Sequence, residues 1–167
     1  NINISIPKIF EISDIEKIVL MEDFGNYRYD KIINNRDFKQ LLVNAIDSLI
    51  AIQNYDQPLK SDGFREYNYS IFKEELIEFV DFYLPLLKTS SDQMEEFLQI
   101  WTSEFKKLNF YWNSFVHKDF ELSNLMYLPK KEDHLKCGIL DFQNAFIGFT
   151  GWDLFSLLEN PRIDFDE

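Results

Sequence analysis

Asp119, Asn124 and Asp141 are the residues of this chain whose types and spacing could do chemistry. Asp119 stands two positions after His117 in His117-Lys118-Asp119-Phe120-Glu121-Leu122-Ser123-Asn124, and Asn124 follows it five positions on. Asp141 comes next, in Ile139-Leu140-Asp141-Phe142. One carboxylate can receive the proton of a hydroxyl, while an amide oxygen and a second carboxylate hold magnesium. Those are the parts a protein supplies when a phosphoryl group passes from a nucleotide to an alcohol. Mg²⁺ favours oxygen ligands in octahedral geometry and usually keeps waters and phosphate oxygens beside one or two carboxylates. Asn124 and Asp141 fit that demand.

These side chains need elements to position them. Leu125-Met126-Tyr127-Leu128 reads as a short strand and Cys137-Gly138-Ile139-Leu140 as its partner, with a polar turn opened by Pro129 between them. An antiparallel ribbon of this length leaves from Asn124 and returns at Asp141. Directly opposed residues in such a pair have Cβ atoms ~5 Å apart, so both side chains are expected to meet one cation. His117 is expected to pack and hydrogen-bond, holding the loop rather than moving protons.

The order of His, Asp and Asn resembles the catalytic loop of kinases. Lys118 stands where protein kinases usually carry Arg, and Asp141-Phe142-Gln143 replaces Asp-Phe-Gly, so the resemblance is to kinase-like small-molecule phosphotransferases. Val116-His117-Lys118-Asp119-Phe120, Ser123-Asn124-Leu125-Met126, Gly138-Ile139-Leu140-Asp141-Phe142-Gln143 and Trp152-Asp153-Leu154-Phe155-Ser156-Leu157-Leu158 resemble the aminoglycoside phosphotransferase superfamily. Within it they look most like the bacterial branch that includes the anomeric N-acetylmuramate/N-acetylglucosamine kinases. Leu20-Met21-Glu22-Asp23-Phe24-Gly25 resembles that branch's hinge between lobes.

The resemblance implies ATP as donor, Mg²⁺ as cofactor, and a hydroxyl of an amino sugar, cell-wall sugar or aminoglycoside-like molecule as acceptor. It places Glu22, Asp23 and Phe24 at the nucleotide, recognised there through the backbone, and Asp153 as a brace for the catalytic loop. Three positions depart from the pattern: Lys118 replaces Arg, Glu121 stands where His is common, and Asn144 where Asp is common. The last two bear on sugar recognition.

Composition bounds the alternatives. The chain has 167 residues, of which 46% are hydrophobic and 17 are Phe, enough for one folded domain with a real core. A net charge of −12 without a clustered basic stripe argues against a nucleic-acid partner. No apolar run approaches the ~18 residues of a membrane span, and no signal peptide is visible. The single cysteine, Cys137, reads as a core residue and fits a reducing cytoplasm. With two histidines, a His-based metal site is not expected.

The rest of the chain reads as strands over residues 4–12 and 16–21, a hinge loop, and helices over residues 36–53, 71–87 and from Asp92 onward. Asp92 is expected to cap that third helix with Glu95, Pro85 to loosen the end of the second, and their aromatic stripes to be core. Residues 56–63 read as a loop. A last helix over residues 150–159 carries Asp153 in its first turn, where the helix dipole favours a carboxylate.

The expected fold class is α+β: a protein-kinase-like, mainly helical large lobe with a catalytic-loop hairpin, plus the last strands of the small lobe. Residues 1–25 would end the small lobe and form the hinge; residues 26–167 would form a large lobe cut short at its C-terminus. No Gly-rich loop and no Lys–Glu pair precede the hinge to clamp phosphates, so the chain alone is expected to turn over little. Two function classes follow. One is an ATP-dependent phosphotransferase acting on a small-molecule hydroxyl. The other is a non-catalytic large-lobe fragment serving as a binding or assembly module, its inter-lobe face in contact with a small lobe or other partner.

Overall fold

Leu41, Ala45, Leu49 and Ile52 recur at helical spacing and are all buried. The structure, a computed structural model, describes residues 3–35, 37–55, 63–108 and 113–159. Among them the chain runs β1 (Ile9–Ser13), β2 (Ile18–Met21), α1 (Tyr29–Ile32), α2 (Phe38–Gln53), β3 (Arg65–Glu66), α3 (Tyr69–Phe82), α4 (Ser91–Lys107), β4 (Ser114–Val116), β5 (Leu125–Tyr127), β6 (Cys137–Ile139), β7 (Phe146–Gly148) and α5 (Trp152–Leu158). The fold is mixed α and β. The four apolar residues of the opening pattern form the inner face of α2, whose start is capped by the Asp37 carboxylate accepting from the Gln40 N–H.

Three small sheets carry the strands. β1 and β2 pair antiparallel with a bulge between Ile9 and Glu11. β7 lies between β3, to which it is parallel, and β4, to which it is antiparallel. β5 and β6 form the expected antiparallel ribbon. This ribbon is not isolated: Ser5 bridges Gly138 on one edge and Arg28 bridges Met126 on the other. The Ile139 N–H donates to the Ser5 carbonyl at 2.8 Å and the Tyr127 N–H to the Tyr27 carbonyl at 2.7 Å. A two-stranded ribbon alone is marginal in water; these flanking segments satisfy its outer backbone groups.

The main core joins α2 to the elements that bear the candidate site. Phe120, Leu122, Leu125 and Ile139 pack with Leu41, Ala45 and Leu49 of α2, Tyr29 of α1 and Leu157 of α5. A smaller cluster of Tyr67, Val116 and Phe146 sits under the three-stranded sheet, with Trp152 edge-on to Tyr67 and Phe146.

Several sequence expectations shift. Residues 4–8 do not continue β1; Ser5 pairs with β6 instead, and the strand begins at Ile9. The start expected at residue 36 lies outside the described residues, as do residues 56–62 of the expected loop. The α-helix of α3 stops at Phe82 and a 3₁₀ turn, Leu84–Leu87, carries Pro85, whose missing N–H suits a helix start rather than a helix interior. α4 begins one residue before Asp92, because Ser90 and Gln93 form a reciprocal capping box there. Its aromatic stripe is core only in part: none of its residues is fully buried, but Phe105 stacks on Phe72 against the Tyr67, Val116 and Phe146 cluster, while Trp101 lies tilted between Phe72 and Phe97. β3, β4 and β7 were not legible, being two or three residues each.

Candidate active site

β4 carries the chain into the core as far as Val116, and the Asp153 carboxylate then takes over its next two N–H groups. His117 N–H donates to one carboxylate oxygen at 2.8 Å and Lys118 N–H to the other at 3.0 Å. Asp153 stands in the first turn of α5 and is buried. Burial pushes its pKa up to about 6, against the opposing pull of the two N–H donors. Lys118 adopts a left-handed backbone, φ 79°, a conformation rare outside glycine. With Phe120 and Leu122 fully buried, the loop is fastened on both sides of Asp119.

The Asp119 carbonyl is the centre of the bend. It accepts from the Glu121 N–H at 2.9 Å and from the Asn124 side-chain amide at 2.9 Å. Asn124 thus uses its Nδ2 inward, while its Oδ1 has no donor among the described residues. The Asp119 carboxylate accepts from Asn144 Nδ2 at 3.0 Å. Ser123 donates to Glu121 at 2.6 Å, so the carboxylate standing in place of the common His is tied to its own loop.

Asp141 reaches the same neighbourhood by the ribbon. Leu125 pairs with Ile139, and the Leu140 N–H donates to the Asn124 carbonyl at 3.0 Å. Asn124 therefore lies opposite Leu140, and Asp141 falls one residue beyond direct opposition. Its backbone turns left-handed there, φ 67°, and its exposed carboxylate has no hydrogen-bond partner among the described residues.

His117 links the two arms. Its Nε2 lies 2.9 Å from the Leu140 carbonyl, and since a carbonyl only accepts, Nε2 carries the proton. Nδ1 is buried without a partner. Burial lowers the imidazole pKa; the Leu140 bond and the charges of Asp119 and Asp141 oppose that shift. Both carboxylates are thus close enough to act on the same ring.

Two clefts flank this bend. One, of about 450 Å³, is lined by Glu22, Asp23 and Phe24 together with Met126 and Leu140 of the ribbon. The acidic side chains of this loop shape their own backbone: Glu22 accepts from the Lys8 N–H at 3.1 Å and Asp23 from the Gly25 N–H at 2.7 Å. Phe24 packs where Gly138 has no side chain, since a Cβ there would lie 2.7 Å from the Phe24 ring. The other cleft, of about 590 Å³, is lined by Arg65, Tyr67, Glu74, Glu75, Lys118 and Asn144, among others. Glu75 accepts from Lys118 Nζ at 2.8 Å and from the Tyr67 hydroxyl at 2.6 Å.

The donor set suits one kind of cation. Among the described residues no group of three or more His, Cys, Asp or Glu side chains is placed to hold a metal. An unpaired amide oxygen with one free carboxylate suits Mg²⁺ shared with nucleotide phosphates.

Glu75 and Tyr67 line this neighbourhood without having been singled out in the sequence, whereas Asn144 was noted only as standing where Asp is common. Asn144 was reached through the resemblance, whereas Glu75 had no signal, being one of several acidic residues along α3.

Asp119 on its braced bend and Asn124 and Asp141 near the ends of one β-ribbon are thus tied into one neighbourhood, with the cleft beside residues 22–24 next to it. The sequence model of the phosphotransferase enzyme family matches residues 20–167, and the chain belongs to that family. It is 29% identical over 168 residues to the N-acetylmuramate/N-acetylglucosamine kinase of Caulobacter vibrioides, covering 95% of this chain and 46% of the relative. Its fold is similar to the gentamicin complex of APH(2")-IIa, with a TM-score of 0.66 at 17% identity over 99% of this chain and 56% of that one. The GDP complex of aminoglycoside 2'-phosphotransferase-IIIa gives 0.65 at 18%, covering 95% and 56%. The ADP-bound APH(2")-Ib gives 0.62 at 16%, covering 98% and 56%. The chain spans about half the length of these relatives. No described helix is long and apolar enough to cross a membrane.

Proposed function

We propose that this chain is the hinge and large-lobe part of an ATP-dependent kinase that phosphorylates a hydroxyl of an amino sugar or cell-wall sugar. The observation that carries the reading is the bend around Asp119: its carbonyl is fixed by Glu121 and Asn124 and its carboxylate is oriented by Asn144. In this reading Asp119 receives the proton as the acceptor oxygen bonds to the γ-phosphorus and the bond to the departing ADP breaks. Asn124 and Asp141 would hold Mg²⁺, which when bound neutralises charge on the phosphates. The backbone of residues 22–24 would receive the adenine. His117 and Asp153 hold the loop without touching substrate.

The domain assignment is part of the same proposal. β1 and β2 expose Phe10, Ile12, Ile18 and Leu20, the surface a sheet shows where further elements pack on it. Residues 1–25 would then belong to the edge of a small lobe, and residues 26–167 to the large one. That same apolar face also suits the second reading, a non-catalytic module whose partner covers it. A reducing cytoplasm fits both, with Cys137 buried and its thiol pushed up to about 12 by burial.

The test is phosphoryl transfer from ATP to N-acetylglucosamine, N-acetylmuramate and kanamycin, followed by ³¹P NMR with the full-length protein. A sugar phosphate is the expected product. Tight partner binding without transfer to any acceptor would favour the module.

A further inference from the structure

The cleft on the Asp119 side holds charges that are not all matched within it. Glu75 is engaged at both oxygens: one takes Lys118 and the other Tyr67. Glu74 accepts only a 3.5 Å contact from Ser70. The Arg65 guanidinium lines the cleft and forms no ion pair or hydrogen bond with any described residue. In a chain of net charge −12, this exposed cation is available to an anionic group that enters the cleft.

Its position is set by the fold. β3 runs parallel to β7 with Arg65 paired to Phe146, two residues beyond Asn144, which holds the Asp119 carboxylate. Arg65 and Asn144 line the same cleft, whose volume of about 590 Å³ accommodates a substituted hexose. Guanidinium is a planar, permanently charged fork that matches a carboxylate with two parallel hydrogen bonds. Because Glu74 lines the same cleft, anion binding here depends on that fork rather than on a general positive field.

We infer that Arg65 is a specificity-determining residue that binds the carboxylate of an acidic sugar acceptor while Asp119 engages its hydroxyl. This rests on the phosphotransferase reading above. N-acetylmuramate and N-acetylglucosamine differ by one lactyl carboxylate and so serve as the paired probes. The experiment compares kcat/KM for both sugars in the full-length wild type, Arg65→Gln and Arg65→Lys. Wild type should prefer N-acetylmuramate, and Arg65→Gln should lose about 10- to 100-fold of that preference, through KM for N-acetylmuramate, with N-acetylglucosamine turnover unchanged. Arg65→Lys should fall between, keeping the charge without the fork. Turnover of both sugars with an unchanged ratio in Arg65→Gln would overturn the Arg65 assignment and leave the kinase reading standing. Failure of wild type to phosphorylate either sugar would overturn the sugar-kinase reading and the inference together.

Discussion

The bend around Asp119 and the α3–α4 pair both concentrate aromatic and aliphatic residues, and the structure treats them in opposite ways. At the bend, Phe120, Leu122 and Leu125 are wholly buried, and the backbone between them is tied by Asp153, Asn124 and Glu121. On the α3–α4 pair, Phe72 stacks on Phe105 and Phe79 on Phe97, yet Phe82 and Leu86 are 77% and 76% exposed. Phe72, Phe97 and Phe105 are only half-buried there, so the rings touch one another without being fully removed from water. The lesson is that hydrophobic content does not locate rigidity in this chain. Rigidity lies where buried apolar anchors and satisfied polar groups coincide, which is the neighbourhood of the three candidate chemical residues.

Substitutions in the two regions should therefore differ sharply. Asp153→Ala leaves the His117 and Lys118 N–H groups buried without an acceptor. At about 1–3 kcal/mol for each orphaned donor, a loss of about 2–6 kcal/mol is expected, read from denaturant midpoints; an unchanged midpoint would remove the brace from the account. Gly138→Ala comes next. The new Cβ would sit 2.7 Å from the Phe24 ring and 3.1 Å from Leu128, an overpacking that costs about 1–3 kcal/mol. It should raise KM for the nucleotide by moving the hinge, and Phe24→Leu in the same chain should restore most of it. No rescue would mean that Phe24 does not set the hinge position.

The pH dependence sharpens the comparison further. Native Asp153 takes up its proton near pH 6, the unfolded residue near 3.8. Between those values the native state binds more protons, so the contribution of this group to stability is full below about pH 4 and is lost as pH rises through 6. Stability measured across pH 4–7 in wild type minus Asp153→Asn should fall with rising pH; a flat difference would contradict the buried brace. The smallest effect belongs to the exposed face. Phe82→Ser should change stability by no more than about 0.5 kcal/mol, and a larger loss would mean that α3–α4 is core after all.

What the sequence made legible follows the length of its signals. The ribbon was bounded by Pro129 and apolar runs, and α2 showed its buried stripe because that periodicity extends over four turns. The brace from Asp153 was reached only through resemblance, since an acidic residue in a first helical turn is equally well explained by the dipole. The three-stranded sheet escaped notice because β3, β4 and β7 are too short for an alternating pattern, and their pairing joins residues 65, 114 and 146 across the chain. The one-residue offset between Asn124 and Asp141 follows from the ribbon's register, Leu125 opposite Ile139, and the left-handed turn at Asp141 is one that a non-glycine residue does not announce. The ion pair of Lys118 with Glu75 spans 43 residues, beyond any local spacing rule.

The central claim divides labour between a base and a magnesium site, and one paired measurement reaches it directly. Full-length wild type, Asp119→Asn and Asp141→Asn are compared for Mg²⁺-dependent ATP affinity by calorimetry and for phosphoryl transfer under saturating acceptor. The account predicts that Asp119→Asn keeps the affinity and loses about 10²- to 10⁴-fold in kcat, whereas Asp141→Asn loses the Mg²⁺ dependence of binding itself. Turnover near wild type in Asp119→Asn, or unaltered magnesium dependence in Asp141→Asn, would contradict it.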